Sequence, residues 1–175
     1  MKKQILTFAL CVVGFASNSV AAQEAPKRVA VFDDWYVYEA GSPKECFAVT
    51  APTKTVNSRG GAVVDDVKRG DIRLFVFYRP SANVKGQVAF TGGYPFAKGR
   101  PIQMEIDTTN YDLSTTGEWA WPASPEDDTK IVTAMRRGAT AIITAQSSRP
   151  TVTKDTFSLK GFTASIEDAA QRCPG

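Results

Sequence analysis

Between residues 102 and 107 the apolar Ile102, Met104 and Ile106 alternate with Gln103, Glu105 and Asp107. A period of two puts one set on each face of a strand, so this segment predicts a half-buried strand with one wet face. The stretch Asp71 to Arg79 has a different pattern. Ile72, Leu74, Val76 and Tyr78 share one face, while Phe75 and Phe77 lie on the other between Arg73 and Arg79. A strand that is apolar on both faces needs cover on both. Phe75 and Phe77 therefore sit either under a helix or second sheet, or on a surface that meets a partner.

Further strands are predicted at Val29 to Phe32, Trp35 to Tyr38, Cys46 to Thr50, Gln87 to Thr91, Tyr111 to Leu113, Glu118 to Trp121, Ala139 to Ala145 and Thr156 to Leu159. Gly41-Ser42-Pro43, Arg59-Gly60-Gly61, Gly92-Gly93, Thr116-Gly117 and Arg149-Pro150 supply turn chemistry between them. Ala51 to Arg69 reads as the most linker-like internal stretch. Many short strands with Gly and Pro between them imply a mainly β fold, an antiparallel sandwich or a partly closed barrel. No alternation of helix and strand supports a nucleotide-binding sheet.

Two helices interrupt the strands. Ser124 can cap, Pro125 suits the first helical position, and Glu126, Asp127 and Asp128 sit at the positive end of the dipole. Arg136 and Arg137 close this short internal helix before Gly138, and Ile131, Ala134 and Met135 form its apolar stripe. A short C-terminal helix is expected from Ala164 to Arg172, with Thr163 as cap and Cys173 presented at its end.

The first 22 residues follow neither pattern. Lys2 and Lys3 precede an apolar run from Ile5 to Phe15, and Val20, Ala21 and Ala22 close it with small residues, which is the form of a cleavable export signal. The run is shorter than the roughly 20 apolar residues that span a bilayer. The reading is a signal peptide over residues 1–22 and a single β-rich domain over 23–175, with no integral membrane span in the mature protein and a periplasmic, outer-membrane-associated or secreted location. Loss of Lys2 and Lys3 brings the 21 basic residues almost level with the 18 acidic ones, so charge gives no reason to expect a nucleic-acid partner. Cys11 would leave with the leader. Cys46 and Cys173 remain, and in an oxidising compartment the simplest fate for an even pair is one disulfide, with free thiols or an intermolecular bridge as the alternatives.

Candidate chemistry is sparse. The chain has no His, which removes the usual triad base and the commonest metal ligand. Asp33-Asp34, Asp65-Asp66 and Asp127-Asp128 are adjacent pairs that suit turns and a helix start better than two opposed catalytic carboxylates. No catalytic, cofactor-binding or metal-binding residue is assigned, and no cofactor is expected. An unrecognised enzyme would need a Ser-Lys site, or a pocket joining Glu105 or Asp107 to Glu118. Trp119 and Trp121 share a strand face and are either core anchors or a platform for a glycan or small ligand. Arg69-Gly70-Asp71 matches an adhesion tripeptide but fits an ordinary polar hairpin turn.

The order of motifs resembles the invasion-associated locus B family. It comprises Asp34-Trp35 before a strand and Cys46, Trp119-Ala120-Trp121, Thr133 to Gly138, Ser147-Ser148-Arg149, Thr153, Asp155 to Leu159, Gly161 to Ala164 and a last cysteine. The most specific parts are Met135 to Gly138 and Ser158 to Ala164; Pro150 stands where the family pattern has Gly. The resemblance implies an exported protein of Gram-negative bacteria with a role in host-cell invasion or envelope integrity, and it carries no catalytic residues. The expected function is binding to an envelope or host-surface protein, with Phe75 and Phe77 as partner surface. The alternative is a periplasmic glycan or small-ligand module using Trp119 and Trp121.

Overall fold

A computed structural model describes residues 25–174; the expected leader and its cleavage point lie outside the described residues. In chain order the strands are β1 (Lys27–Phe32), β2 (Trp35–Ala40), β3 (Glu45–Thr50), β4 (Lys54–Arg59), β5 (Ala62–Val63), β6 (Arg73–Arg79), β7 (Val84–Thr91), β8 (Ile102–Ile106), β9 (Thr109–Thr116), β10 (Trp119–Trp121), β11 (Thr140–Gln146) and β12 (Val152–Ser158). Helix α1 (Pro125–Arg137) separates β10 from β11, and α2 (Phe162–Arg172) follows β12. The strands form one antiparallel sheet of 12 in the order β1-β2-β3-β6-β7-β10-β9-β8-β11-β12-β4-β5, which does not close into a barrel.

The sheet folds back so that its two halves share a core. Phe90 on β7 meets Phe157 on β12 edge to face at 6.1 Å, and both are fully buried. The alternation read from Ile102, Met104 and Ile106 is realised, with all three buried and Gln103 exposed. Both helices cover the inner face. Ile131 and Met135 carry α1 into the core; Phe162, Ile166 and Ala169 carry α2. Ser124 caps α1 as its sequence predicts, its Oγ accepting the Asp127 amide at 3.2 Å.

Cys46 in β3 and Cys173 at the end of α2 form a disulfide across 127 positions. At the opposite end of α2, Trp35 packs edge to face on Phe162 at 4.9 Å and donates its indole N–H to the Ser158 carbonyl at 3.0 Å. The C-terminal helix is thus fastened to β3 by a covalent bond and to β2 by an aromatic contact, and the indole hydrogen bond ties β2 to the end of β12.

Several expectations need correction. The linker-like stretch 51–69 contains β4 and β5. β4 pairs with β12 through Thr55↔Asp155 and Asn57↔Thr153, yet has no fully buried side chain, so backbone pairing holds a strand that shows no hydrophobic alternation. Helix α2 starts two residues earlier than expected, and Thr163 is not its cap. Gly161 takes that place in the left-handed region at φ 85° with no side-chain cap bond. A Cβ there would come within 2.0 Å of the Phe32 carbonyl oxygen, so the close approach of β1 selects glycine over a capping hydroxyl. β12 ends at Ser158 and begins at Val152, longer than the Thr156 to Leu159 segment that its apolar residues mark.

Candidate functional site

On β6 the inner face buries Leu74, Val76 and Tyr78, as the alternation requires. The helices pack over that face, while the opposite one holds a smaller cluster of its own around Phe47, Val49, Phe77 and Ala89. Phe75 and Phe77 are covered instead by neighbours within the sheet. Phe75 stacks on Phe77 at 5.2 Å, Phe77 lies 5.4 Å from Phe47 on β3, and Phe47 stacks on Tyr38 of β2 at 5.3 Å. In the other direction Phe75 reaches Trp119 on β10 at 5.5 Å, and Trp119 stacks on Trp121 at 5.6 Å. The two separate sequence candidates, Phe75 with Phe77 and Trp119 with Trp121, are therefore parts of one aromatic band crossing β2, β3, β6 and β10.

The band is graded in exposure. Phe47 and Phe77 retain 9% and 7% of their accessible surface, Phe75 and Trp121 are half-buried, and Trp119 keeps 36%. Arginines border it. The Arg79 guanidinium lies 4.3 Å from the Phe77 ring centroid and bonds Gln87 at 2.8 Å and Glu45; Arg28 lies 5.5 Å from the ring of Tyr36. Stacked guanidinium groups are weakly hydrated and can approach aromatic rings without full desolvation. Sequence reasoning missed Tyr38 and Phe47. The signal was present, because Cys46 to Thr50 has apolar residues on both faces and lies beside another strand with the same property.

At one end of the sheet, loops surround a cleft of about 510 Å³. Arg59 from the end of β4, Lys68, Tyr94, Glu118, Arg149 and Thr151 are among its walls. Beneath it Arg69 is 5% exposed and forms a two-pronged ion pair with the fully buried Asp155, at 2.8 and 2.6 Å. The Arg69 Nε also donates to the Gly92 carbonyl at 2.9 Å, and its guanidinium lies 5.0 Å from the Tyr94 ring centroid. Tyr94 Oη and Thr153 Oγ1 share a hydrogen bond of 2.5 Å; burial, partly offset by that bond, raises the phenol pKa. The Arg69-Gly70-Asp71 segment is thus no hairpin turn. Its arginine is committed inside the protein and cannot be displayed beside Asp71.

The paired acids stand apart from one another. Asp33 lies in the β1–β2 turn at φ 48°, and Asp127 and Asp128 lie in the first turn of α1. Asp128 accepts the Val88 amide at 2.8 Å, and burial pushes its carboxyl up to about 6. Glu118 lines the cleft with Asp66, but Glu105 and Asp107 do not join it. Among the described residues, no group of three or more His, Cys, Asp or Glu side chains could hold a metal ion, and no helix is long and apolar enough to cross a membrane.

No protein-family profile and no curated protein matches this sequence. Among solved structures, the fold is similar to invasion associated protein B from Bartonella henselae, with a TM-score of 0.54 and 14% identity over 85% of this chain and 98% of that one. The motifs that carry the sequence resemblance have structural work. Trp35 contacts both Phe162 and the Ser158 carbonyl, and a Cβ on Gly138 would lie 2.8 Å from Ile106. They specify how β2, β12 and the helices assemble, in keeping with a likeness of fold.

Proposed function

We propose that this chain is an exported cell-envelope protein that acts by binding a partner protein, without catalysis, through the aromatic band on the outer face of its sheet. The observation that carries this reading is the continuity of Tyr38, Phe47, Phe75, Phe77, Trp119 and Trp121 with arginines at the border. Protein interfaces are enriched in Trp, Tyr, Phe and Arg and poor in Lys and acids at their centres, which is the composition of this face. The export-signal pattern of residues 1–22, the Cys46–Cys173 bond and the likeness to invasion associated protein B support an envelope location. They also support placing the chain in the invasion-associated locus B family, with a part in host-cell invasion or envelope integrity.

Crosslinking of the mature protein in intact cells tests the reading. Wild type is expected to capture a defined protein, while Phe75→Asp with Trp119→Asp loses it and keeps the disulfide and a cooperative thermal transition. An unchanged set of crosslinked species in that variant would overturn the assignment. A second reading, glycan binding, is favoured by the stacked and partly exposed Trp119–Trp121 pair, since sugars pack on exposed aromatic faces. Tryptophan fluorescence that shifts saturably with oligosaccharide, in a protein that captures no protein partner, would select it.

A further inference from the structure

The loop cleft at the end of the sheet is a second surface, separate from the aromatic band. Segments from five parts of the chain meet there: Arg59 at the end of β4, Asp66 to Lys68, Gly93 to Pro95, Glu118 before β10, and the Ser147 to Thr153 hairpin. Converging loops on a rigid sheet are a common way to build a binding site. Its size falls within the range of small-ligand pockets, roughly 300–1,000 Å³.

The floor is unusually fixed. A buried ion pair gives little net stability, because desolvation offsets most of its attraction, and here Arg69–Asp155 joins the loop before β6, the Gly92–Tyr94 loop and β12 under the cleft. Gly70 donates its amide to the Gly93 carbonyl at 2.9 Å. Gly93, at φ 71°, stands where any Cβ would lie 2.5 Å from the Gly70 oxygen. The walls mix apolar surface from Val67, Tyr94 and Pro95 with charged and hydroxyl side chains. Arg59 is oriented by its Nε bond to Thr151 Oγ1 at 2.8 Å, and among the described residues Arg59, Lys68 and Arg149 have no ion-pair partner. Ser148 and Thr151 also line the cleft, and among the described residues its acids are Asp66 and Glu118.

We propose that this cleft binds an anionic, hydroxyl-rich ligand of the acidic-saccharide class, with Arg59, Lys68 and Arg149 holding its carboxylate or phosphate. Asp66, Glu118 and the hydroxyls take the sugar's O–H groups. Guanidinium groups match carboxylate and phosphate geometry in pairs of hydrogen bonds, and the apolar surface of Tyr94 and Pro95 suits the C–H face of a sugar ring.

Titration of the mature, disulfide-bonded protein with glucuronate, glucose 6-phosphate and glucose, followed by ¹H–¹⁵N shifts of the Arg59 Nε–H and the Tyr94 amide, tests the proposal. One or both anionic sugars are expected to bind saturably, at about millimolar affinity for a single ring and at least about tenfold tighter than glucose. The preferred anion identifies the charged group, and equal binding means that either serves. Arg59→Gln with Arg149→Gln should weaken binding about tenfold or more with the melting temperature little changed, since both side chains are exposed. Absence of saturable binding by either anion, glucose binding equally well, or full affinity in the double variant would each overturn it.

Discussion

The ring of Phe75 on β6 lies 5.5 Å from that of Trp119 on β10, although β7 runs between the two strands. The contact is possible because the residue opposite Phe75 on β7 is Ala89, whose small, fully buried side chain lets the rings close over it. The aromatic band therefore depends on an alanine as much as on its aromatic members.

Ala89→Leu is expected to lift the two rings apart. Extra methylenes in a packed site cost about 1–3 kcal/mol, and Trp119 should become more exposed. Equilibrium urea unfolding together with acrylamide quenching checks both effects. Trp35, fully buried, should stay unquenched in either protein. An Ala89→Leu protein with wild-type stability and quenching would mean that the rings do not rest on this position.

Arg69 and Asp155 give the clearest single-residue test of the cleft floor. Arg69→Ala leaves a fully buried carboxylate without its partner, and breaking such a pair typically costs about 3–5 kcal/mol. Arg69→Met with Asp155→Leu removes both charges and should recover much of that loss, while loosening the Gly92 to Tyr94 loop. Thermal unfolding of the single and double variants, with amide exchange at Tyr94, separates the two effects. Equal destabilisation by the single and double changes would show that the pair matters for reasons other than an uncompensated charge.

Much of this architecture was legible in the sequence because alternation, caps and turn residues are local properties. The two faces of Ile72 to Tyr78, the Ser124–Pro125 helix start and the Cys46–Cys173 pairing follow from rules that act over a few residues or from compartment chemistry. β4 was not legible, because Lys54 to Arg59 is polar except for Val56 and owes its conformation to β12, about a hundred positions away in the chain. Gly161 instead of Thr163 at the start of α2 depends on the Phe32 carbonyl, which sequence alone does not place nearby. The candidate surfaces divide in the same way. The members of the aromatic band were visible strand by strand, but their continuity required the strand order β2-β3-β6-β7-β10. The cleft, assembled from loops remote in sequence, carried no local signal.

Asp128 predicts a pH dependence. Its carboxyl is half-buried in the first turn of α1, and burial raises its pKa from 3.8 to about 6 despite the favourable Val88 amide bond; the charge of Asp127 adds to the rise. A group whose folded pKa exceeds its unfolded value binds its proton more tightly in the folded state. Its stabilising contribution is complete below pH 3.8 and is lost as pH rises through about 6. The loss should be on the order of 1 kcal/mol, discounted because the group is partly solvated. Asp128→Asn keeps an acceptor for the Val88 amide and removes the titration, so its stability should be flatter across this window and higher than wild type at neutral pH. Urea midpoints from pH 4 to 7 decide the matter; parallel profiles for the two proteins would assign the dependence to other groups.

The disulfide joins β3 to the end of α2 across 127 positions, and that placement sets how much it can contribute. Closing a loop across 127 positions reduces the entropy of the unfolded chain, worth on the order of 4–5 kcal/mol in the chain-entropy model. Domains of this size have only about 5–15 kcal/mol in total, so a protein without the bond should be close to its stability threshold. α2 would still have Phe162, Ile166 and Ala169 in the core, so the native fold remains accessible without the covalent link. Cys46→Ala with Cys173→Ala is therefore expected to fold but to unfold at a much lower urea midpoint, with amide exchange rising first in α2. A loss under about 1 kcal/mol would show that the unfolded chain is already compact enough to hold β3 near the C-terminus, leaving little entropy for the bond to remove. Retained exchange protection in α2 would place the weakened region elsewhere in the sheet.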